Sequence, residues 1–332
     1  MLTVLTAALA VVAGTAAAAC IPNTTSTAGL QAALDAGGAG FVLSLCPGET
    51  YSLAQALSFA SPNQEISTAG YPPDDSRAIL RVVGNDTAAV LGVRAGLDGA
   101  ALRYVQVDGN RGALPPVTGD AAIKMGGDNS DQVVEHVRVY DPRSWSCLHI
   151  AEGSLRCSNA TVQYNAIGPC GAPAYGAWAD GISLACRASA VRYNTVRDAT
   201  DGGVVVFGAP GSVVANNTIV AATRTMLGGI NLVDVVPWAP GNYTHTAVLD
   251  NVVAGGFAPD GERTAALVKI GVAVGPRVWF GDKYARNTST GGVVARNVLR
   301  GAFTFGIVRM PLARRAADAA PGRGHRRQLC DR

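Results

Sequence analysis

Charged side chains are scarce in this chain, 15% against 48% hydrophobic, and the net charge is only +3, with much of the excess gathered in the basic segment that follows Val308. That balance is too small to argue for the broad basic footprint by which proteins hold nucleic acid. Aromatics are sparse at 6% while Gly reaches 40, a composition that suits many short strands and tight turns better than long charged helices. No C-x-x-C pair occurs among the seven cysteines, so the usual zinc spacing is missing, and a Cys-rich metal site is only the competing reading of their clustering. After residue 19 no apolar run reaches the ~18 residues that a membrane span requires.

What is present begins with a leader. Residues 1–19, MLTVLTAALAVVAGTAAAA, are apolar and end in an Ala16-x-Ala18 pattern, the mark of a secretory signal peptide, although no Lys or Arg precedes the apolar core and a membrane anchor is the alternative. Sequons at Asn23, Asn85, Asn159, Asn216, Asn242 and Asn287 agree with a secreted, glycosylated surface. Seven cysteines fit an oxidising compartment. Cys20 and Cys46 flank the mature N-terminus and are placed to staple it; Cys147, Cys157, Cys170 and Cys186 are expected to pair among themselves in a connectivity that spacing leaves open, and Cys330 is left over.

The dominant signal is a repeat. An apolar-x-x-(Asn or Val)-x-apolar phrase occurs at Leu102 to Val107, Val134 to Val139, Val162 to Ile167, Val191 to Val196, Val214 to Ile219, Val248 to Val253 and Val294 to Leu299. The step between fourth positions varies from 23 residues (Asn194 to Asn217) to 46 (Asn251 to Asn297), which describes a fixed unit with loops of unequal length on one side. Ser154 to Ile167 aligns without a gap on Ser183 to Val196.

Each copy pairs two short alternating apolar runs with turn residues and has no ten-residue stretch at helical spacing, so the unit is made of strands. Strands that recur in one direction at such intervals stack in parallel, coil on coil, about 4.8 Å apart. The Asn has a physical reason: it tolerates a left-handed bend between strands, and stacked amides hydrogen-bond along the axis. The fold class is therefore all-β, a right-handed parallel β-helix; a propeller would repeat more regularly, at about 40 to 50 residues. The expected division is a signal peptide over 1–19, an N-terminal cap and first coils over 20–78 with a helix at Ser26 to Ala36, the β-helix over 79–308, and a basic tail over 309–332 that is disordered or results from a misjudged gene boundary.

On these residues, from Ile79 to Val308, the chain resembles the pectin lyase-like superfamily of right-handed β-helices, and within it secreted fungal members. The resemblance implies a shallow groove on one sheet that holds polysaccharide. Aligning the Gly-Ile-x-Leu phrases places Ile182 and Leu184, Val204 and Val206, and Ile230 and Leu232 inward, so the residues between them form an outward column: Lys124, His149, Ser183, Val205, Asn231. Lys269 joins that outward face under either register of its strand.

Acids sit at its rim: Asp180, Asp198, Asp201 and Asp234. Asp180 and Asp201 occupy nearly equivalent places one coil apart, so their carboxylates come close and raise one another's pKa, the usual equipment for glycoside hydrolysis. The arrangement is similar to polygalacturonases: Ala179-Asp180-Gly181 matches the Asp of their first motif, Thr200-Asp201-Gly202 keeps one Asp of the second, and Leu267-Val268-Lys269 keeps the Lys of the fourth. No His stands at Leu227-Gly228-Gly229, and Leu267 replaces the Arg that clamps a uronate.

The resulting expectation is a glycoside hydrolase acting as a monomer on a cell-wall polysaccharide. Asp180, Asp201 and Lys269 are its catalytic candidates, and His149, Asp198, Asn231 and Trp178 contact substrate. No metal or other cofactor is expected, nor a nucleic-acid or membrane partner. A polysaccharide lyase using Ca²⁺ and a non-catalytic adhesive β-helix are the alternatives. Each residue also has a plainer reading: Asp before Gly forms turns, Lys269 and His149 decorate a surface, and loop Trp residues such as Trp178, Trp238 and Trp279 pack over the coil.

Overall fold

The computed structural model describes residues 20–174, 176–257, 265–284 and 288–309. The expected signal peptide over 1–19, the sequon Asn287 and the tail from residue 310, with Cys330, lie outside the described residues. Among them, the chain winds through three parallel sheets of nine strands each, in which every strand but the two at the ends is paired to its equivalents one coil earlier and one coil later. It is a right-handed parallel β-helix. Coils begin at Val42–Leu45, inside the segment assigned to cap and first coils. Ahead of them the helix Thr27–Gly37 is capped by Ser26, whose hydroxyl accepts from the Gly29 N–H, and it turns Leu30 and Leu34 into the top of the core.

One coil shows how the sequence builds the rest. Ala190–Arg192 is a strand of the first sheet, Thr195–Arg197 of the second and Gly202–Val206 of the third. Val191 stacks in register on Val162 and Val214, and all three are fully buried. Each such side chain contributes about 1.5–3 kcal/mol by leaving water. The inward residues expected for the third sheet, from Ile123 to Leu232, are likewise buried.

The Asn ladder is present but works differently from the expected bend. The left-handed residue is the one before each Asn: Tyr164 (φ 56°), Tyr193 (φ 57°), Asn216 (φ 56°), Asp250 (φ 57°) and Arg296 (φ 56°). That twist throws its own side chain outward and turns the following Asn beneath the backbone. Asn165, Asn194, Asn217 and Asn251 each donate from Nδ2 to the Oδ1 of the next Asn, ending at Asn297, every time at 2.9 Å. Each Oδ1 also takes the preceding Asn's backbone N–H, as Asn194 does for Asn165 at 3.1 Å. The outward residues form their own stack, with Tyr104, His136, Tyr164 and Tyr193 ring on ring at 4.4–5.2 Å.

Three disulfides tie neighbouring parts of the coil: Cys20–Cys46, Cys147–Cys170 and Cys157–Cys186. The last joins residues 29 apart, the offset at which Thr161 pairs with Ala190, so it bridges equivalent positions of two repeats. This pattern fits an oxidising compartment. No described helix is long and apolar enough to cross a membrane.

Candidate active site

The outer face of the third sheet carries the acids because strict alternation fails there. A Cβ on Gly181 would meet Val196 Cγ1 at 2.5 Å, inside the coil, yet the next residue, Ile182, is also fully buried inside. Two successive inward positions put both Asp180 and Ser183 on the outer face, and Ser183 Oγ donates to Asp180 Oδ2 at 2.8 Å. Ser146 Oγ stands 2.9 Å behind Ser183 Oγ. The column itself is in the expected register: Lys124, His149, Ser183, Val205 and Asn231 are consecutive partners. It is not open to solvent, however, since Ser183, Val205 and Asn231 are buried. The chain beyond Leu232 folds back across it, with Val233 packed on Ile270 and Ala273, and Trp238 Nε1 donating to the Ala185 carbonyl at 2.7 Å.

Asp180 lies beneath this cover, one coil from Gly202, whose N–H donates to Asp180 Oδ1 at 2.9 Å. Glycine is required at 202: a Cβ would come within 2.2 Å of Val205 Cγ2 and 3.0 Å of Asn231 Nδ2. Burial, then the charges of Asp201 and Asp234, push the Asp180 carboxyl well above the usual range against the pull of its two donors. Asp201, half-buried, is also raised, by burial. Asp234, likewise half-buried, is pushed up to about 7 by burial and by the charge of Asp201. Three carboxyls on two neighbouring coils and one returning loop thus share a single electrostatic environment. The sequence placed Asp234 at the rim, but only the fold-back after Leu232 brings it to the other two.

The remaining candidates are distributed around this cluster. Asn231 lies beneath Trp279, whose Nε1 donates to its Oδ1 at 3.2 Å. His149 sits one coil before Ser183, edge-to-face with Trp145 at 5.0 Å; burial, helped by Lys124, depresses its imidazole to about 4, so it is neutral. Trp145, which sequence reasoning passed over, also reaches Phe207 at 6.5 Å, and its carbonyl takes the Asp180 N–H at 2.8 Å.

Three candidates stand apart from the acids. Lys269 precedes Ile270, the partner of Gly228, which pairs with Gly202; that register sets it two coils, about 10 Å, beyond Asp201. The column position after Asn231 belongs to Ala273, and the Lys269 ammonium donates to the Ala266 carbonyl at 2.8 Å. Asp198 accepts from the N–H groups of Ala222, Thr223 and Arg224 and from the Thr223 hydroxyl, which holds its carboxylate below the usual range; this is the turn-forming role. Trp178 lies two residues before Asp180, with Nε1 3.3 Å from the Pro173 carbonyl.

No protein-family model and no curated protein matches this chain. Among solved structures it is similar to an alginate lyase from Paenibacillus sp. (15% identity, 85% of this chain and 97% of that one, TM-score 0.47). It is also similar to a DFA-IIIase from Arthrobacter chlorophenolicus without its lid (16% identity, 81% of each chain, TM-score 0.42). A third is the A-module of a mannuronan C-5 epimerase from Azotobacter vinelandii (14% identity, 85% of this chain and 93% of that one, TM-score 0.38).

Proposed function

We propose that the protein is a secreted glycoside hydrolase acting on a cell-wall polysaccharide, with Asp201 and Asp234 as its working pair. The observation that carries this reading is the convergence of three carboxyls on an outer face flanked by tryptophans. Of the three, Asp201 and Asp234 are half-buried and keep some exposure, whereas Asp180 is only 4% exposed and is cast as a positioning residue. Burial, then the charge of Asp201, raises Asp234 to about 7, and the acid role is assigned to it on that ground. Asp234 then holds the proton near neutrality and donates it to the glycosidic oxygen, while the Asp201 carboxylate serves the anomeric carbon as base or nucleophile.

Hydrolysis here is proposed to run without a metal or other cofactor. Lys269 takes no part in the proton transfers. The test is reducing-end release from a panel of wall polysaccharides by the wild-type chain and by Asp201→Asn and Asp234→Asn. Loss in both variants supports the pair. Unsaturated uronate products absorbing in the ultraviolet from the wild type would instead establish a lyase, and equal activity in the variants would remove the acid–base assignment.

A further inference from the structure

The face just before the acid cluster is built for something uncharged. Trp145, Phe207, Val236 and Pro237 line a hollow of about 260 Å³ together with His149 and Glu152, smaller than the ~300–1,000 Å³ of sites for drug-sized ligands and of a size for one ring. The walls are fixed rather than draped. Trp145 packs edge-to-face on both His149 (5.0 Å) and Phe207 (6.5 Å), and Trp238, next to Pro237, is anchored to the Ala185 carbonyl. Even so Trp145 is 37% exposed and Val236 59% exposed, so apolar surface remains open, and the Trp145 carbonyl takes the Asp180 N–H.

No residue lining the hollow carries positive charge. Glu152 is acidic, His149 is neutral, and its Nδ1 is buried without a partner. Lys124, the register partner of His149, is closed by its ion pair with Asp120 at 2.5 Å. Asp180, Asp201 and Asp234 follow on the next coils. A uronate carboxylate seated here would meet apolar walls and further acids, and both disfavour its charge. The C–H face of a neutral sugar, in contrast, suits an exposed indole.

We propose that this hollow is a subsite for one uncharged sugar ring, which makes the substrate a neutral glycan and not a polyuronate. The proposal rests on the hydrolase reading for its catalytic meaning, but its binding part can be tested separately. The full chain carrying Asp201→Asn is run by affinity electrophoresis through gels containing xylan, galactan, β-glucan or polygalacturonate. Retardation is expected in at least one neutral gel, weakened about tenfold by adding Trp145→Ala and largely restored by Trp145→Phe, with an unchanged unfolding temperature showing that each variant is folded. Retardation by polygalacturonate alone, by no polymer, or by a neutral polymer regardless of Trp145→Ala overturns the subsite. If a neutral gel retards the protein through Trp145 while the wild type releases no reducing ends from that polymer, the subsite stands and the hydrolase reading falls.

Discussion

Two columns of polar side chains run along this coil, and they differ in chemistry more than in geometry. In the Asn ladder each amide both donates and accepts, so stacking one on the next satisfies every member: Asn217 gives Nδ2 to Asn251 and to the Val191 carbonyl, and takes Asn194 Nδ2 and N–H on its Oδ1. On the outer face Asp180 and Asp201 stand on neighbouring coils and feel each other's charge, but ionised carboxylates only accept. There the same coil spacing concentrates like charge, and protons are retained that water would have removed. A stacked fold therefore turns repetition into satisfied hydrogen bonds where the repeated group is an amide and into retained protons where it is an acid.

The comparison is tested most severely by Asp201→Asn, which places an amide in the acid column. Activity should fall by about 10²–10⁴-fold in a reducing-end assay, with an unfolding temperature equal to or above that of the wild type. The reverse exchange, Asn217→Asp, puts an acid in the ladder. Its ionised form cannot donate to Asn251 or to the Val191 carbonyl, so urea unfolding at neutral pH should show a loss of about 3 kcal/mol, partly recovered on acidification as the buried carboxyl regains its proton.

A smaller effect lies in the pH dependence of stability. Asp234 titrates near 3.8 when unfolded and at about 7 when folded, so between those values the folded state binds the extra proton and stability declines as pH rises. His149, depressed to about 4, acts with the opposite sign over about 4 to 6.5 and is common to both proteins in the comparison. Asp234→Asn should remove about 1–2 kcal/mol of the decline, allowing for solvent screening, as seen in unfolding temperatures across that window. The mildest change is Tyr193→Ala in the exposed ring stack, which should cost about 1 kcal/mol and leave activity unchanged; a larger loss would mean that the outer stack, and not only the inner ladder, holds the coils together.

The Val-x-x-Asn-x-Ile phrases were enough to read the coil, its register and the outward column from Lys124 to Asn231, because a strand's period of two and a repeat's equivalence are local properties of the text. The site was less legible. Alternation counted back from Ile182 and Leu184 would have buried Asp180 inside, and only the double inward step at Gly181 and Ile182 turns it out beside Ser183. Asp198 looked like its neighbours in sequence but is consumed by the Ala222 to Arg224 turn. Lys269 has a matching motif position and stands two coils away.

By itself, then, the sequence determined the repeating unit, the inward apolar columns and the amide ladder, since each depends on residues one coil apart that carry the same side chain. The tertiary structure alone decided which acids meet. Asp234 reaches Asp201 because the chain after Leu232 folds back over the sheet, and Trp145 reaches Phe207 across two coils. Those encounters depend on loops outside the repeat, where no periodicity records which way the chain returns.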